Sequence, residues 1–157
     1  MLKIRKAQIE DTETILHFIK ELAIYEKLEH EAVADAKSIK EHLFGAKPKA
    51  HCLIAEYDSK DVGFALYFYN FSTFLGKPGI YLEDLFVNDN CRGKGVGKAL
   101  LLELIKIAKA ENLGRVEWWV LDWNTPSIDF YKSLGAKAMD EWTVFRITED
   151  KFEALLS

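Results

Sequence analysis

One stretch constrains this chain more than any other. An apolar run from Ile80 to Val87, broken only by Glu83 and Asp84, passes through polar Asn88-Asp89-Asn90-Cys91 into Arg92-Gly93-Lys94-Gly95-Val96-Gly97, and then into the periodic segment Lys98 to Ala110. That order is a strand, a glycine-rich turn and a helix. Glycine at such a junction lets the main chain approach a ligand closely, and the free N–H groups of a helix's first turn favour an anion. Arg92, Lys94 and Lys98 bring positive charge to the same corner. The stretch predicts a site for the phosphates of a cofactor.

Two phosphate-binding templates fail on it. A P-loop needs Gly-x-x-x-x-Gly-Lys-[Ser/Thr], and Lys98 stands where its second glycine belongs. The dinucleotide fingerprint Gly-x-Gly-x-x-Gly, begun by Gly93 and Gly95, meets the same lysine. The pattern that fits is Arg-x-x-Gly-x-Gly, carried by Arg92, Gly95 and Gly97.

Composition limits what such a site belongs to. With 49% apolar and 13% aromatic residues the chain is no disordered segment, and its 157 residues are most simply one domain, 1–157. A net charge of −4 argues against a general nucleic-acid binder, so the positive corner is local. Cys52 and Cys91 have no CxxC spacing, and no apolar run approaches the roughly 18 residues that span a bilayer. The expectation is a soluble protein of the cytoplasm, without membrane or nucleic-acid partners.

In chain order, Leu2 to Ala7 alternates as a strand. Asp11 offers an N-cap to a helix ending near Leu28, and Asp35 caps a shorter one that Gly45 terminates. Ala50 to Tyr57 and Val62 to Phe71 read as a hairpin across Asp58-Ser59-Lys60-Asp61. The strand at Ile80, expected to be central and covered on both faces, and the long helix follow. Arg115 to Leu121 is a further strand, and Thr125 is placed as N-cap of a helix with Pro126 in its first position and Leu134 at its end. Ala136 to Thr148 reads as a last long strand, and a short helix closes the chain. The result is an α/β (α+β) mixed sheet with helices on both faces.

Glu83 and Asp84 interrupt a strand that is otherwise apolar. Burying an ionised carboxylate without a partner commonly costs several kcal/mol, roughly, so two adjacent ones need a reason. Neighbouring side chains on a strand point to opposite faces, and the pair shares a pocket only if the strand bulges or ends there. One reading makes them a functional pair, and the other has them satisfied by nearby Arg or Lys. Tyr131, four residues after Ser127 on one helix face, is by composition a core tyrosine.

The Arg92, Gly95, Gly97 pattern resembles the pyrophosphate motif of the GCN5-related N-acetyltransferases, which hold acetyl-coenzyme A. The run from Trp123-Asn124 through Phe130-Tyr131-Lys132 to Gly135-Ala136 is similar to that family's second cofactor motif. Ile19-Lys20-Glu21-Leu22-Ala23 with Tyr25-Glu26, and Tyr81-Leu82-Glu83-Asp84, resemble its spermidine/spermine acetyltransferase group. Ser72-Thr73-Phe74 departs from the polyamine pattern, which has an acidic residue and a tryptophan there. With Val120-Leu121-Asp122-Trp123-Asn124, it looks more like the thialysine N-epsilon-acetyltransferase branch.

The resemblance implies the family's fold and a transfer of acetyl from acetyl-CoA to a small primary amine by direct attack in a ternary complex. It also implies residue roles. Gly93, Lys94, Gly95, Val96, Gly97 and Lys98, with Arg92, would hold the pyrophosphate. Leu85-Phe86-Val87 would run beside the cofactor and supply oxyanion N–H donors, with Asn124 and Ser127 as further cofactor contacts. Glu83 would be a water-relayed base and Tyr131 the acid that protonates the sulfur. Tyr25, Glu26, Ser72, Thr73, Glu83, Asp84 and Trp119 would meet the amine, the hydroxyls through hydrogen bonds to an amino-acid carboxylate. Homodimers are common in the family. Acetylation of protein lysines or N-termini, and a non-catalytic acyl-CoA-binding module, stand as alternatives. His17, His30, His42 and His51 have no metal-ligand spacing, so no metal is expected.

Overall fold

The computed structural model describes residues 1–157, which divide into two compact units, Met1–Trp119 and Val120–Ser157. The first unit is built on a five-stranded sheet in the order β1 (Leu2–Lys6), β2 (His51–Tyr57), β3 (Lys60–Ser72), β4 (Lys77–Val87), β5 (Val116–Trp118). Every pairing is antiparallel except β4 with β5. The β2–β3 turn is tighter than the sequence suggested. Asp58 and Ser59 take φ of 50° and 64°, the doubly left-handed geometry that matches the twist of a hairpin.

Helices α1 (Thr12–Tyr25) and α2 (Ala36–Phe44) lie on one face, where Ile15, Phe18 and Ile39 pack with Phe64, Leu66 and Phe86. Phe18 stacks on Phe64 at 5.5 Å between ring centroids. On the other face α3 (Val96–Ala110) buries Val96, Leu100, Leu101 and Leu104 against Leu53, Ala65, Ile80 and Leu82. The spacing 96, 100, 104 is the apolar stripe of a helix docked along its whole length, each such side chain contributing about 1.5–3 kcal/mol. Asp35 caps α2 by accepting the Ser38 N–H at 2.8 Å. Asp11 precedes α1 but makes no side-chain cap. Its carboxylate instead takes Arg5 at 2.8 and 2.9 Å.

Three expectations are corrected. The strand expected at Arg115–Leu121 is ladder-paired only over Val116–Trp118, because β4 bulges after Leu82 and its edge turns away from a regular partner. In the second unit, α4 (Thr125–Ser133) is capped by Asn124 rather than Thr125, with Asn124 Oδ1 accepting the Ser127 N–H at 3.4 Å. An Asn carbonyl serves a cap as well as a Thr hydroxyl, and Pro126 tolerates either of the first positions. Ala136 to Thr148 forms no strand. No strand occurs anywhere in Val120–Ser157, and alternation by itself cannot satisfy a strand's main-chain groups. Trp142 and Phe145 are 76% and 91% exposed. The closing helix is α5 (Phe152–Leu156), and no helix is long and apolar enough to cross a membrane.

Candidate active site

The site begins with a miscount between two strands. Along β3 and β4, Ala65 pairs with Leu85 and Leu66 with Asp84, but Tyr67 pairs with Leu82. Glu83 is the additional residue of a β-bulge. Up to the bulge Ile80 and Leu82 face α3, whereas beyond it Leu85 and Val87 face α3 and Phe86 faces α1 and α2. The change of parity puts Glu83 and Asp84 on the same face of the sheet, the one arrangement in which adjacent residues can share a pocket.

Glu26, the residue that closes α1, approaches the pair. Burial, then the charges of Glu83 and Glu26, push the Asp84 carboxyl up to about 7. Burial, then the charge of Glu83, raises Glu26 as well. No hydrogen bond or ion pair to Arg or Lys compensates Asp84, so the structural reading of the pair as a satisfied salt bridge fails. Three carboxylates gathered here, two of them, Asp84 and Glu26, with raised proton affinity, form a place for a cation and for a group that accepts a proton near neutral pH.

The same bulge opens the other edge of β4. Pairing with β5 stops at Leu82, so from Glu83 to Val87 the main chain on that edge has no strand neighbour. Leu85-Phe86-Val87 is thereby available to a ligand lying alongside it. At the end of β4 the glycine-rich turn follows. Gly93 and Gly95 have φ of 77° and 80°, with nothing within 4 Å of where a Cβ would sit. The conformation there, rather than lack of room, calls for glycine. Gly95 is the N-cap of α3, and Val96, buried in the core, anchors the helix so that its first N–H groups open at the turn. These features fit a diphosphate at the turn and an extended thioester arm beside β4.

Arg92 and Lys94 are more committed than the sequence suggested. Arg92 Nε donates to Val87 O at 3.0 Å, Nη1 pairs with Asp89 at 2.7 Å, and the guanidinium lies 4.7 Å above the Tyr25 ring. Tyr25, Phe86, Asn88 and Arg92 line a cavity of about 420 Å³. Lys94 Nζ sits 5.1 Å over the Tyr57 ring. Arg92 thus ties the end of α1 to the glycine-rich turn while holding its charge in a fixed position.

Ser72 is buried and its hydroxyl accepts the Leu75 N–H at 3.2 Å, forming a turn, while Thr73 is exposed. Trp119 is 58% exposed and its ring meets Tyr81 edge-on at 5.7 Å. In the second unit, Tyr131 lies on α4 with its ring 5.6 Å from Phe130. Sequence reasoning missed Phe68, Asn70, Arg115 and Glu117, which share a face with Tyr81. The cross-strand pairings that gather them are invisible to local periodicity.

The sequence pattern of the Acetyltransferase (GNAT) family matches residues 14–136. The chain is 35% identical to bovine (Bos taurus) thialysine N-epsilon-acetyltransferase over 97% of its own length and 95% of the relative's. It is 45% identical to L-ornithine N5-acetyltransferase NATA1 of Arabidopsis thaliana over 59% of its length and 41% of that protein. An integron cassette protein from the mobile metagenome of V. cholerae superposes with a TM-score of 0.81 at 26% identity, covering 99% and 97% of the two chains. Matched by the family pattern over most of its length and by a relative 35% identical along nearly all of it, the chain belongs to the GNAT acetyltransferase family and is an acetyl-CoA-dependent N-acetyltransferase.

Proposed function

We propose that the acceptor is the primary amine of a small molecule with an amino-acid-like end, of the thialysine, lysine or ornithine type, attacked directly in a ternary complex. The observation that carries this reading is the bulge that turns Glu83 and Asp84 to one face beside Glu26. An alkylamine with a pKa near ~10 arrives protonated and must lose a proton before it can attack. Asp84 and Glu26 attract the ammonium, and Glu83, the most exposed of the bulged pair, takes its proton through an intervening water. Bound acetyl-CoA supplies the thioester carbonyl that the amine attacks. Main-chain N–H groups of Leu85 to Val87 and the first turn of α3, with Gly93 to Lys98, orient the carbonyl and hold the diphosphate. Asn124 and Ser127 add cofactor contacts, and Tyr131 donates the proton to the leaving sulfur. In this proposal both units act as one catalytic domain, in a homodimer as the resemblance implies, and in the cytoplasm as the cysteine usage suggests.

A thiol-release screen tests the reading. L-lysine, thialysine, ornithine, 1,5-diaminopentane and spermidine are compared with lysine-containing peptides at fixed acetyl-CoA. The expected result is turnover with the free amino acids well above that with peptides, and preference for peptides would refute it. Tyr131→Phe is expected to lower kcat at least tenfold while CoA affinity by calorimetry stays within twofold. Unchanged turnover would remove Tyr131 from the mechanism.

A further inference from the structure

Phe68, Asn70, Tyr81, Glu117 and Trp119 belong to neither apolar cluster of the first unit. They nevertheless form one continuous patch. Phe68 pairs with Tyr81, Asn70 with Gly79, and Tyr81 with Glu117, so all project from the face that carries Glu83 two residues further along β4. Tyr81 lies between Phe68, at 5.0 Å, and Trp119, at 5.7 Å. Beyond this aromatic strip is a polar group of three. Glu117 Oε1 forms an ion pair with Arg115, 2.9 Å from its Nε, and accepts Asn70 Nδ2 at 3.2 Å.

Two details show this group is held at a cost. Asn70 Oδ1 is buried and accepts no hydrogen bond, a loss of about 1–3 kcal/mol for such an atom. The orientation persists because turning the amide over would aim that oxygen at the Glu117 carboxylate. Gly79, opposite Asn70, is also required. A Cβ there would lie 2.8 Å from Asn70 Oδ1 and 2.9 Å from Arg115 O. A network that leaves an acceptor orphaned and excludes every side chain from a facing position fixes Glu117 and Arg115 where they stand. Both remain partly open, with side-chain exposures of 38% and 43%.

We infer that this patch is the subsite for the distal, amino-acid end of the acceptor. It rests on the small-amine reading above and names the residues that select among such amines. Arg115 receives the α-carboxylate, for which a guanidinium fork is suited, and Glu117 receives the α-ammonium. The methylene chain between lies on the Tyr81 and Trp119 rings. Glu117 stands opposite Tyr81 on the neighbouring strand, and Tyr81 lies two residues from Glu83 along β4, so Glu117 and Glu83 are separated by about 8 Å, a span a lysine-length chain can bridge between two side chains.

Calorimetric titration of L-lysine and of 1,5-diaminopentane, which has the same chain without the carboxylate, separates the outcomes. The parent protein is expected to bind lysine more tightly than the diamine. Arg115→Gln is expected to weaken lysine at least tenfold and leave the diamine within twofold, whereas Glu117→Gln weakens both. Equal weakening of both ligands by Arg115→Gln, an unchanged affinity for lysine, or no binding of lysine to the parent overturns the inference. Thiol release is assayed in parallel. Arg115-dependent lysine binding without acetyl transfer to any amine would refute the small-amine function and leave the subsite standing.

Discussion

Asp84 shows what a single partly buried carboxyl does to both chemistry and stability. Its proton affinity is raised to about 7, first by burial and then by Glu83 and Glu26. In the unfolded chain the group titrates near its ordinary value, so between about pH 4 and pH 7 the folded state binds more protons than the unfolded. Stability attached to Asp84 is therefore complete below the unfolded pKa and is lost as pH rises through the folded one. Asp84→Asn is expected to raise the Tm at pH 8 and to leave it nearly unchanged at pH 4, flattening the profile between. Thermal melts across that range check it, and an equal shift at both pH values would mean that Asp84 is not held in this state. Glu83, the residue before it, is brought to the same face by the bulge but is exposed.

Among the elements, the turn between β4 and α3 couples backbone conformation most directly to function. Gly95 is at once the N-cap of α3 and a left-handed residue. Alanine there incurs about 1–2 kcal/mol, the cost of a Cβ in that conformation. Gly95→Ala is expected to lower unfolding free energy by that amount in urea and, because the first N–H groups of α3 tilt with the cap, to weaken CoA binding severalfold by calorimetry. The turn, the helix and its apolar stripe were legible in the sequence because glycine chemistry and a 3.6-residue period are local signals. The bulge was not, since nothing in Tyr81-Leu82-Glu83-Asp84 states how many residues the partner strand supplies opposite it. The extent of β5 and the cap of α4 were misjudged for related reasons. Ladder length belongs to two strands at once, and Asn124 and Thr125 are both competent caps.

At the scale of the whole molecule, the sheet is secured at the edge remote from the acidic pocket. Arg5 on β1 joins Asp11, Glu56 and Asp61, pairing with Asp61 at 3.2 Å and with Asp11 at 2.8 Å. Its hydrogen bond to Arg5 leads the effects that hold the Asp11 carboxyl below its ordinary value, so the stability this contributes is present above pH 4 and is lost as pH falls through the folded value. Arg5→Ala leaves three carboxylates facing one another. It is expected to cost about 1–3 kcal/mol at pH 7 by denaturant unfolding, with a smaller loss at pH 4. An equal loss at both pH values would assign the effect to packing instead.

The amino-acid sequence by itself determined the mixed α/β class, the glycine-rich turn, most helices and the acidic residues, because each rests on chemistry within a few neighbours. The tertiary structure alone decided that Glu83 and Asp84 share a face, that Asp84 has no cationic partner, that Arg92 is drawn onto Tyr25, and that Ala136 to Thr148 is not a strand. Each of these depends on pairing register or on burial among residues distant in the chain. A register offset of one residue inverts which face a side chain occupies, and no local pattern records that offset.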